Sequence, residues 1–450
     1  VPAPRNFQKR IPKAYIPAVK VGRKRGSNRG SHGRWLFIWF ALTGVAMVSA
    51  TAGALLAMSI NVNPLRQAEL NPQEEEIFNR QGETISRSTL RLPELTRPVH
   101  ILLMGTDKVE GGRSGDSFSG LSDTMLLLRF APETSQVSVL SIPRDTRAQI
   151  PDHGINKVNS ANILGGPALA AKTVSNLLED VPIDRYVRVN LDGVEQLIDA
   201  LGGVTIHVPN DMKYTDQTQG LYIDLKEGKQ HLNGDQALQF LRFRYDSYGD
   251  IGRVQRQQMM MRALVDQALQ PSIVVKIPKI LSVIQSNLDT NLSVEELVAL
   301  VGFSTQIDRE QVQLLMLPGD FNGTGRDEVS YWLPNRSKTR EMMAQHFDQG
   351  YVEMSESEPA NQRIAIQYSR ENTEELNELV AKLRDGGYGN VYVDHNWGKS
   401  VEVTRVVAQG GSERSAREVQ ALIGLGEVRV ESTGVLQSDV TIQIGRDWRL

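Results

Sequence analysis

Three stretches decide the fold: V-H-I-L-L-M-G-T-D (Val99 to Asp107), D-T-M-L-L-L-R-F (Asp123 to Phe130) and V-S-V-L-S-I-P-R (Val137 to Arg144). Each contains an apolar run of strand length bounded by Gly, Pro or Asp, the pattern of a buried strand. The second and third are joined only by the short loop Ala131 to Gln136, which predicts an antiparallel hairpin. If the first strand also runs antiparallel to the second, Asp107, Asp123 and Arg144 fall at one edge of the sheet. Two carboxylates and a guanidinium then converge, and that predicts a site.

Outward from this sheet, strands alternate with helices. A loop is expected over Pro151 to Asn159, then a helix over Pro167 to Leu178, a strand over Tyr186 to Asn190 and a helix over Asp192 to Leu201. That helix stops at Gly202-Gly203, glycine being the usual residue just past a last turn. Val204 to Val208 continues as a strand. Asn233 opens a helix over Leu232 to Phe243, a second and longer one covers Ile251 to Leu269, and Ser293 with Glu296 forms a capping-box pattern before Phe303. The alternation predicts an α/β fold with a mixed central sheet flanked by helices over 98–347. After an acidic linker at 348–362, residues 363–450 show a β-α-β-β-α-β-β order, a small separate α+β domain.

The N-terminal side differs in charge. Residues 1–34 contain no Asp or Glu and carry ten Lys and Arg; against a net charge of −3, the remainder is at −13. Trp35 to Ile60 has no charged residue at all, long enough to span a bilayer, which takes roughly 20 apolar residues. The basic flank stays cytoplasmic, so 1–34 is expected inside, 35–60 as a single anchor, 61–97 as a stalk, and both later domains outside. A nucleic-acid role is disfavoured for a folded part that is acidic and external. The absence of cysteine excludes thiol nucleophiles and disulfides.

Two oxygen-donor carboxylates suit a hard cation such as Mg2+, whose other ligands come from water and substrate phosphates, although aspartate at a strand end also serves turns. Downstream, Arg242-Phe243-Arg244 is followed by Arg253, Arg256 and Gln257, with Arg253 and Gln257 spaced to share a helix face. In an extended stretch Arg242 and Arg244 would point to one side. Guanidinium forks match phosphate oxygens, so this cluster, with Arg144, Arg147 and Lys157, predicts a polyanion, most simply a pyrophosphate. No P-loop, dinucleotide fingerprint or G-x-S-x-G elbow is present.

The motifs M-G-T-D (Met104 to Asp107), L-S-D-T-M (Leu121 to Met125), S-I-P-R-D-T (Ser141 to Thr146), I-N-K-V-N (Ile155 to Asn159), L-N-G-D-Q-A-L (Leu232 to Leu238) and the arginine run to Gln258 resemble the LytR-CpsA-Psr family. The final domain is similar to the LytR C-terminal module. The resemblance implies a membrane-anchored phosphotransferase that moves a glycopolymer from a polyprenyl-pyrophosphate carrier onto peptidoglycan with Mg2+. It implies Asp107 and Asp123 as metal-associated carboxylates and Arg144, Arg242, Arg244, Arg253 and Gln257 as the pyrophosphate cradle, with Lys157 joining it. Asp107, Asp123, Arg144 and Arg253 would stand at the reacting centre. Asn156 departs from the histidine of many members. The alternatives are a pyrophosphatase with water as acceptor, and a non-catalytic membrane-bound regulator or wall-binding module. A lipid carrier also calls for an apolar slot, for which Met259, Met260, Met261 and Leu264 and the helix over Pro167 to Leu178 are candidates.

Overall fold

The computed structural model describes residues 70–78, 85–86, 93–106, 118–217, 221–243, 249–322, 329–350, 359–368, 373–394 and 401–448. The basic tail, the expected anchor, Asp107 and Arg244 lie outside the described residues. Among the described residues no helix is long and apolar enough to cross a membrane.

The first elements are α1 (Pro72–Phe78) and the short paired strands β1 (Ile85–Ser86) and β2 (Glu94–Leu95). They fall in the expected stalk, yet they are folded into the body: Phe78 is buried against Tyr186 at 5.3 Å between ring centroids. Then follow β3 (Val99–Thr106), β4 (Ser122–Ala131), β5 (Gln136–Ile142), β6 (Arg147–Ile150), β7 (Gly154–Lys157), α2 (Ser160–Leu177), β8 (Arg185–Asn190) and α3 (Leu191–Leu201). The hairpin β6–β7 replaces the loop expected over Pro151 to Asn159. Strand β6 alternates over only four residues, and in β7 the single apolar residue, Ile155, faces out, so the segment gave too short a pattern to be read as strands. Helix α2 starts earlier than expected because Gly165 and Gly166 kink it, Gly166 at φ 67°, and only the part from Pro167 onward is periodic.

Next come β9 (Val204–Val208), β10 (Met212–Asp216), β11 (Leu221–Leu225), β12 (Gly228–Leu232), α4 (Gly234–Arg242), α5 (Gly249–Ala268), α6 (Ile277–Asn287), β13 (Leu288–Thr290), α7 (Val294–Ser304) and β14 (Val312–Met316). Strands β15 (Gly319–Phe321) and β16 (Trp332–Pro334) and helix α8 (Arg336–Phe347) complete this part. Asn233 caps α4 and the Ser293–Glu296 capping box starts α7 as the sequence predicts; Gln236 completes a second box at Asn233. Six strands form one mixed sheet in the order β13-β8-β3-β4-β5-β14. Pairs β3–β4 and β4–β5 are antiparallel, β3–β8 and β5–β14 parallel.

Both faces of this sheet are covered, which is why its strands read as nearly continuous apolar runs. Leu102, Met104, Met125, Leu127, Leu140 and Ile142 pack with α2 and α8 on one face. Leu126, Val139 and Leu314 pack with Met261 and Val265 of α5 on the other.

The remaining elements are β17 (Arg363–Gln367), α9 (Thr373–Asp385), β18 (Asn390–Asp394), β19 (Arg405–Ala408), α10 (Glu413–Ile423), β20 (Glu427–Arg429) and β21 (Val440–Gln443). They build a five-stranded sheet, β18-β17-β21-β19-β20, with its own core of Ile364, Leu379, Val406, Val419 and Ile442. Its element order is the one expected from the sequence. This unit is nevertheless tied to the first: Leu314 of β14 makes a parallel bridge to Glu431, just past β20.

His100 of β3 is 4% exposed and packs on Phe347, ring centroids 6.1 Å apart. Burial lowers its pKa to about 4, outweighing the opposing pull of Asp184; Arg129 and Arg97 reinforce burial, and Asp348 opposes it. The unfolded chain therefore takes up a proton near pH 6.5 that the folded chain refuses until about 4. Stability is complete above pH 6.5 and should fall by roughly 3 kcal/mol as pH drops through this window. Urea unfolding at pH 7 and pH 4.5 checks this. His100→Phe should remove that part of the pH slope, and an unchanged slope in the variant would refute it.

Candidate functional site

The strand directions place the ends of β3 and β5 and the start of β4 at one edge. Register along β3 and β4 runs in step from Val99 opposite Phe130 to Gly105 opposite Thr124, then shifts so that Thr106 faces Ser122. Asp123 is the extra residue of this β-bulge. A bulge re-aims the side chain it carries, and here it presents Asp123 to Arg144, whose Nη1 donates to Asp123 Oδ1 at 2.8 Å. Gly105 keeps this crossing tight, since a Cβ there would lie 3.2 Å from Thr124 Cβ.

Arg144 sits in a turn fixed from several directions. Thr146 N donates to Pro143 O at 2.9 Å, Asn159 N to Arg144 O at 3.3 Å, and Trp332 N to Asp145 O at 2.9 Å. Asp145, which the sequence reading passed over, links two of the predicted cations: its Oδ2 is 3.5 Å from Arg144 Nε and its Oδ1 is 2.8 Å from Lys157 Nζ. The adjacent Arg-Asp pair in S-I-P-R-D-T was the available signal. Arg147 lies directly across the β6–β7 hairpin from Lys157 and is exposed. The side chains of Asp123 and Arg144 are 29% and 21% exposed, reachable by a ligand but not fully solvated.

The chain leading into Asp123 is clamped by residues the sequence reading did not single out. Asn162 Nδ2 donates to Phe118 O at 2.9 Å and to Gly120 O at 2.7 Å, and Ser122 N donates to Asn159 O at 3.4 Å. Arg188 of β8 adds a bond to Phe118 O at 3.3 Å, lies over the Phe118 ring and pairs with Asp289 at 2.5 Å, both side chains 2% exposed. A charged residue inside the apolar strand Y-V-R-V-N was its signal.

Helix α5 closes the other side. Gln257, Gln258 and Met261 line a small cleft together with Asp123, Thr124 and Ser141. Gln257 thus lines one cleft with Asp123, and the backbone of Arg253 stands one turn before it on the same helix. Arg256, from the same arginine run, is not presented to the cleft. It is 3% exposed, donates to Phe243 O and lies 5.7 Å from the Phe243 ring centroid.

The extended reading of Arg242-Phe243-Arg244 is corrected for its first member. The capping box and the buried Ala237 and Phe240 carry α4 through Arg242, and only Phe243 turns extended, at φ −62° and ψ 130°. The alternation of a strand therefore does not apply there. Met260 is core, packed with Phe240, Phe243 and Ile206, and Ala168, Ala170 and Val174 of α2 are core as well. Of the residues expected to line a lipid slot, Met261 is at the cleft.

Residues 65–348 match the family model described as the LytR_cpsA_psr family, and residues 361–448 match that of the LytR cell envelope-related transcriptional attenuator. The chain is 33% identical over 261 residues to the Bacillus subtilis polyisoprenyl-teichoic acid–peptidoglycan teichoic acid transferase TagV, covering 56% of this chain and 65% of that one. It is 40% identical over 210 residues to the Oceanobacillus iheyensis transferase TagU of the same description, covering 45% and 62%. The match thus spans less than two thirds of either relative's length. The crystal structure of protein gbs0355 from Streptococcus agalactiae is similar at a TM-score of 0.51 and 27% identity, covering 57% of this chain and 90% of that one.

Proposed function

The chain belongs to the LytR-CpsA-Psr family, and from that premise we propose that it transfers a teichoic-acid-like glycopolymer from a polyprenyl-pyrophosphate carrier to peptidoglycan. The observation that carries this reading is the bulged Asp123, which lines one cleft with Gln257 and is ion-paired to Arg144, itself linked through Asp145 to Lys157. A hydroxyl of the acceptor attacks the glycan-side phosphorus, the bond from that phosphorus to the bridging oxygen breaks, and polyprenyl phosphate leaves. Catalysis of such a step is mostly positioning and stabilisation of charge on the phosphoryl oxygens, so no protein nucleophile is required. Arg144, Arg147, Lys157, Arg242, Arg244, Arg253 and Gln257 supply the donors, and Asp123 orients Arg144.

Asp107 and Asp123 would hold Mg2+. Such an ion takes one or two carboxylates and draws its other oxygens from water and substrate phosphates; among the described residues no group of three or more His, Cys, Asp or Glu gathers. Arg144 engages Oδ1 of Asp123, and the carboxylate keeps its place on the cleft. When bound, the ion neutralises charge on the pyrophosphate. We place the catalytic and C-terminal parts outside the cytoplasmic membrane, held by a single anchor at 35–60 with the N-terminus inside.

The test uses the full chain in detergent or nanodiscs, a synthetic polyprenyl-pyrophosphate-linked oligosaccharide and peptidoglycan fragments. The expected result is glycosylated acceptor and polyprenyl phosphate in equal amounts, stopped by EDTA and restored by Mg2+. Lipid phosphate without glycosylated acceptor would make the protein a pyrophosphatase. Neither binding nor release would leave a non-catalytic module.

A further inference from the structure

The strongest unassigned feature is an ionic ring around the buried Glu431 that joins the C-terminal sheet to helix α5. Strand β14 is the edge of the catalytic sheet, and its outer side is taken by the chain just past β20. Leu314 N donates to Val430 O at 3.1 Å and Ser432 N to Leu314 O at 2.6 Å. Between them, Glu431 points into the seam with its side chain 2% exposed.

Its carboxylate meets Arg309 Nη2 at 2.7 Å and Arg262 Nη1 at 3.1 Å, and Thr433 Oγ1 donates to it at 3.0 Å. Arg309 Nε in turn reaches Asp266 Oδ1 at 2.7 Å, and Arg262 Nε stands 3.9 Å from Asp266 Oδ2. Two guanidiniums and two carboxylates thus close a ring. Burial pushes the Glu431 carboxyl up, but Arg262 and Arg309, with Arg405 beside them, outweigh it and hold the group below its usual range.

Two corners of this ring, Arg262 and Asp266, belong to α5. Arg262 stands one turn beyond Gln258 and next to Met261, both of which line the Asp123 cleft. A contact that only fastened the two sheets together would not need to seize this helix. With the reading of the cleft as a pyrophosphate site as its premise, we infer that Glu431 is a positioning residue: the C-terminal domain, through Arg262 and Arg309, sets the helix that carries Arg253 and brings Gln257 to the cleft. Without the Glu431 charge the ring keeps two guanidiniums against Asp266 alone. The helix keeps its apolar packing but loses this anchor to the C-terminal domain, and the cleft loosens.

The full chain is compared with Glu431→Gln, with Arg262→Lys, which keeps the charge but loses the fork, and with Arg429→Gln. Arg429 lies in the same seam, 3.7 Å from the exposed Glu310 and outside the ring. Readouts are hydrogen exchange across 253–262 and binding of farnesyl pyrophosphate, followed by calorimetry.

Glu431→Gln should speed exchange along that helix and weaken binding about tenfold, in the range of network couplings. Arg262→Lys should do the same to a smaller extent, and Arg429→Gln should leave both unchanged. If Glu431→Gln and Arg262→Lys leave helix exchange and affinity at wild-type values, or if Arg429→Gln matches their effects, the inference is overturned and the seam is only an attachment. If Glu431→Gln fails to fold, Arg262→Lys decides by the same two readouts. Wild-type protein that does not bind farnesyl pyrophosphate would count against the proposed function instead, and helix exchange alone would then judge the positioning role.

Discussion

Arg144→Ala is expected to lower glycan transfer by about 10²–10³-fold, the usual loss when one preorganised donor to a developing oxyanion is removed. The melting temperature should hardly move. Its ion pair with Asp123 is partly exposed, 21% and 29%, and such pairs contribute about 0–1 kcal/mol. The turn that carries Arg144 is held by backbone bonds through Pro143, Asn159 and Trp332, none of which needs the guanidinium. Arg144→Lys should fall between the two, because an ammonium keeps the charge but not the planar fork. Turnover of a lipid-linked oligosaccharide beside a thermal melt checks the prediction. Wild-type turnover in Arg144→Ala, or a loss explained by unfolding, would count against it.

Asp289→Ala is the stability counterpart. Arg188 and Asp289 face each other at 2.5 Å with both side chains 2% exposed. Removing one partner strands a guanidinium in the interior, which destabilises by about 3–5 kcal/mol. For a body of this size that is a drop of roughly 10 °C in melting temperature. Arg188 also holds Phe118 O and Asn162, so the approach to Asp123 loosens and activity should fall with stability. The paired change Arg188→Met with Asp289→Leu should regain most of the stability, since apolar replacements of buried ion pairs are often neutral or stabilising. It should not regain activity. Urea unfolding of the single and paired variants tests the additivity.

The sheet was legible because its strands are covered on both faces, and runs such as Thr-Met-Leu-Leu-Leu at 124–128 leave little else to be. Antiparallel register followed from the short loop at 131–136, and with it the meeting of Asp123 and Arg144. The bulge was not legible. It falls at Ser122-Asp123-Thr124, opposite Gly105 and Thr106, where no apolar side chain alternates to mark a residue out of step.

The β6–β7 hairpin was missed because its strands are four residues each, too short for the alternation in β6 to stand out, and β7 is mostly solvated. The helix over Leu232 to Phe243 was legible from its cap at Asn233, but the Arg-Phe-Arg spacing also suggested an extended stretch, which Arg242 does not join. Asp145, Asn162 and Arg188 escaped notice for a different reason. Their work is done on partners many positions away, such as Asn162 on Phe118 O across 44 residues, and spacing within a motif does not reveal that.

The seam along β14 also bears on how the chain reaches its native state. A strand whose outer donors and acceptors are unmatched is a template for any other extended chain, and here the match is supplied by Ser432, 118 positions beyond Leu314. Closing so distant a pairing is entropically slow. Until it closes, the six-stranded sheet offers an open flank to its neighbours. Chains cut before Val430 should therefore stick to one another as they fold, however sound their active cleft.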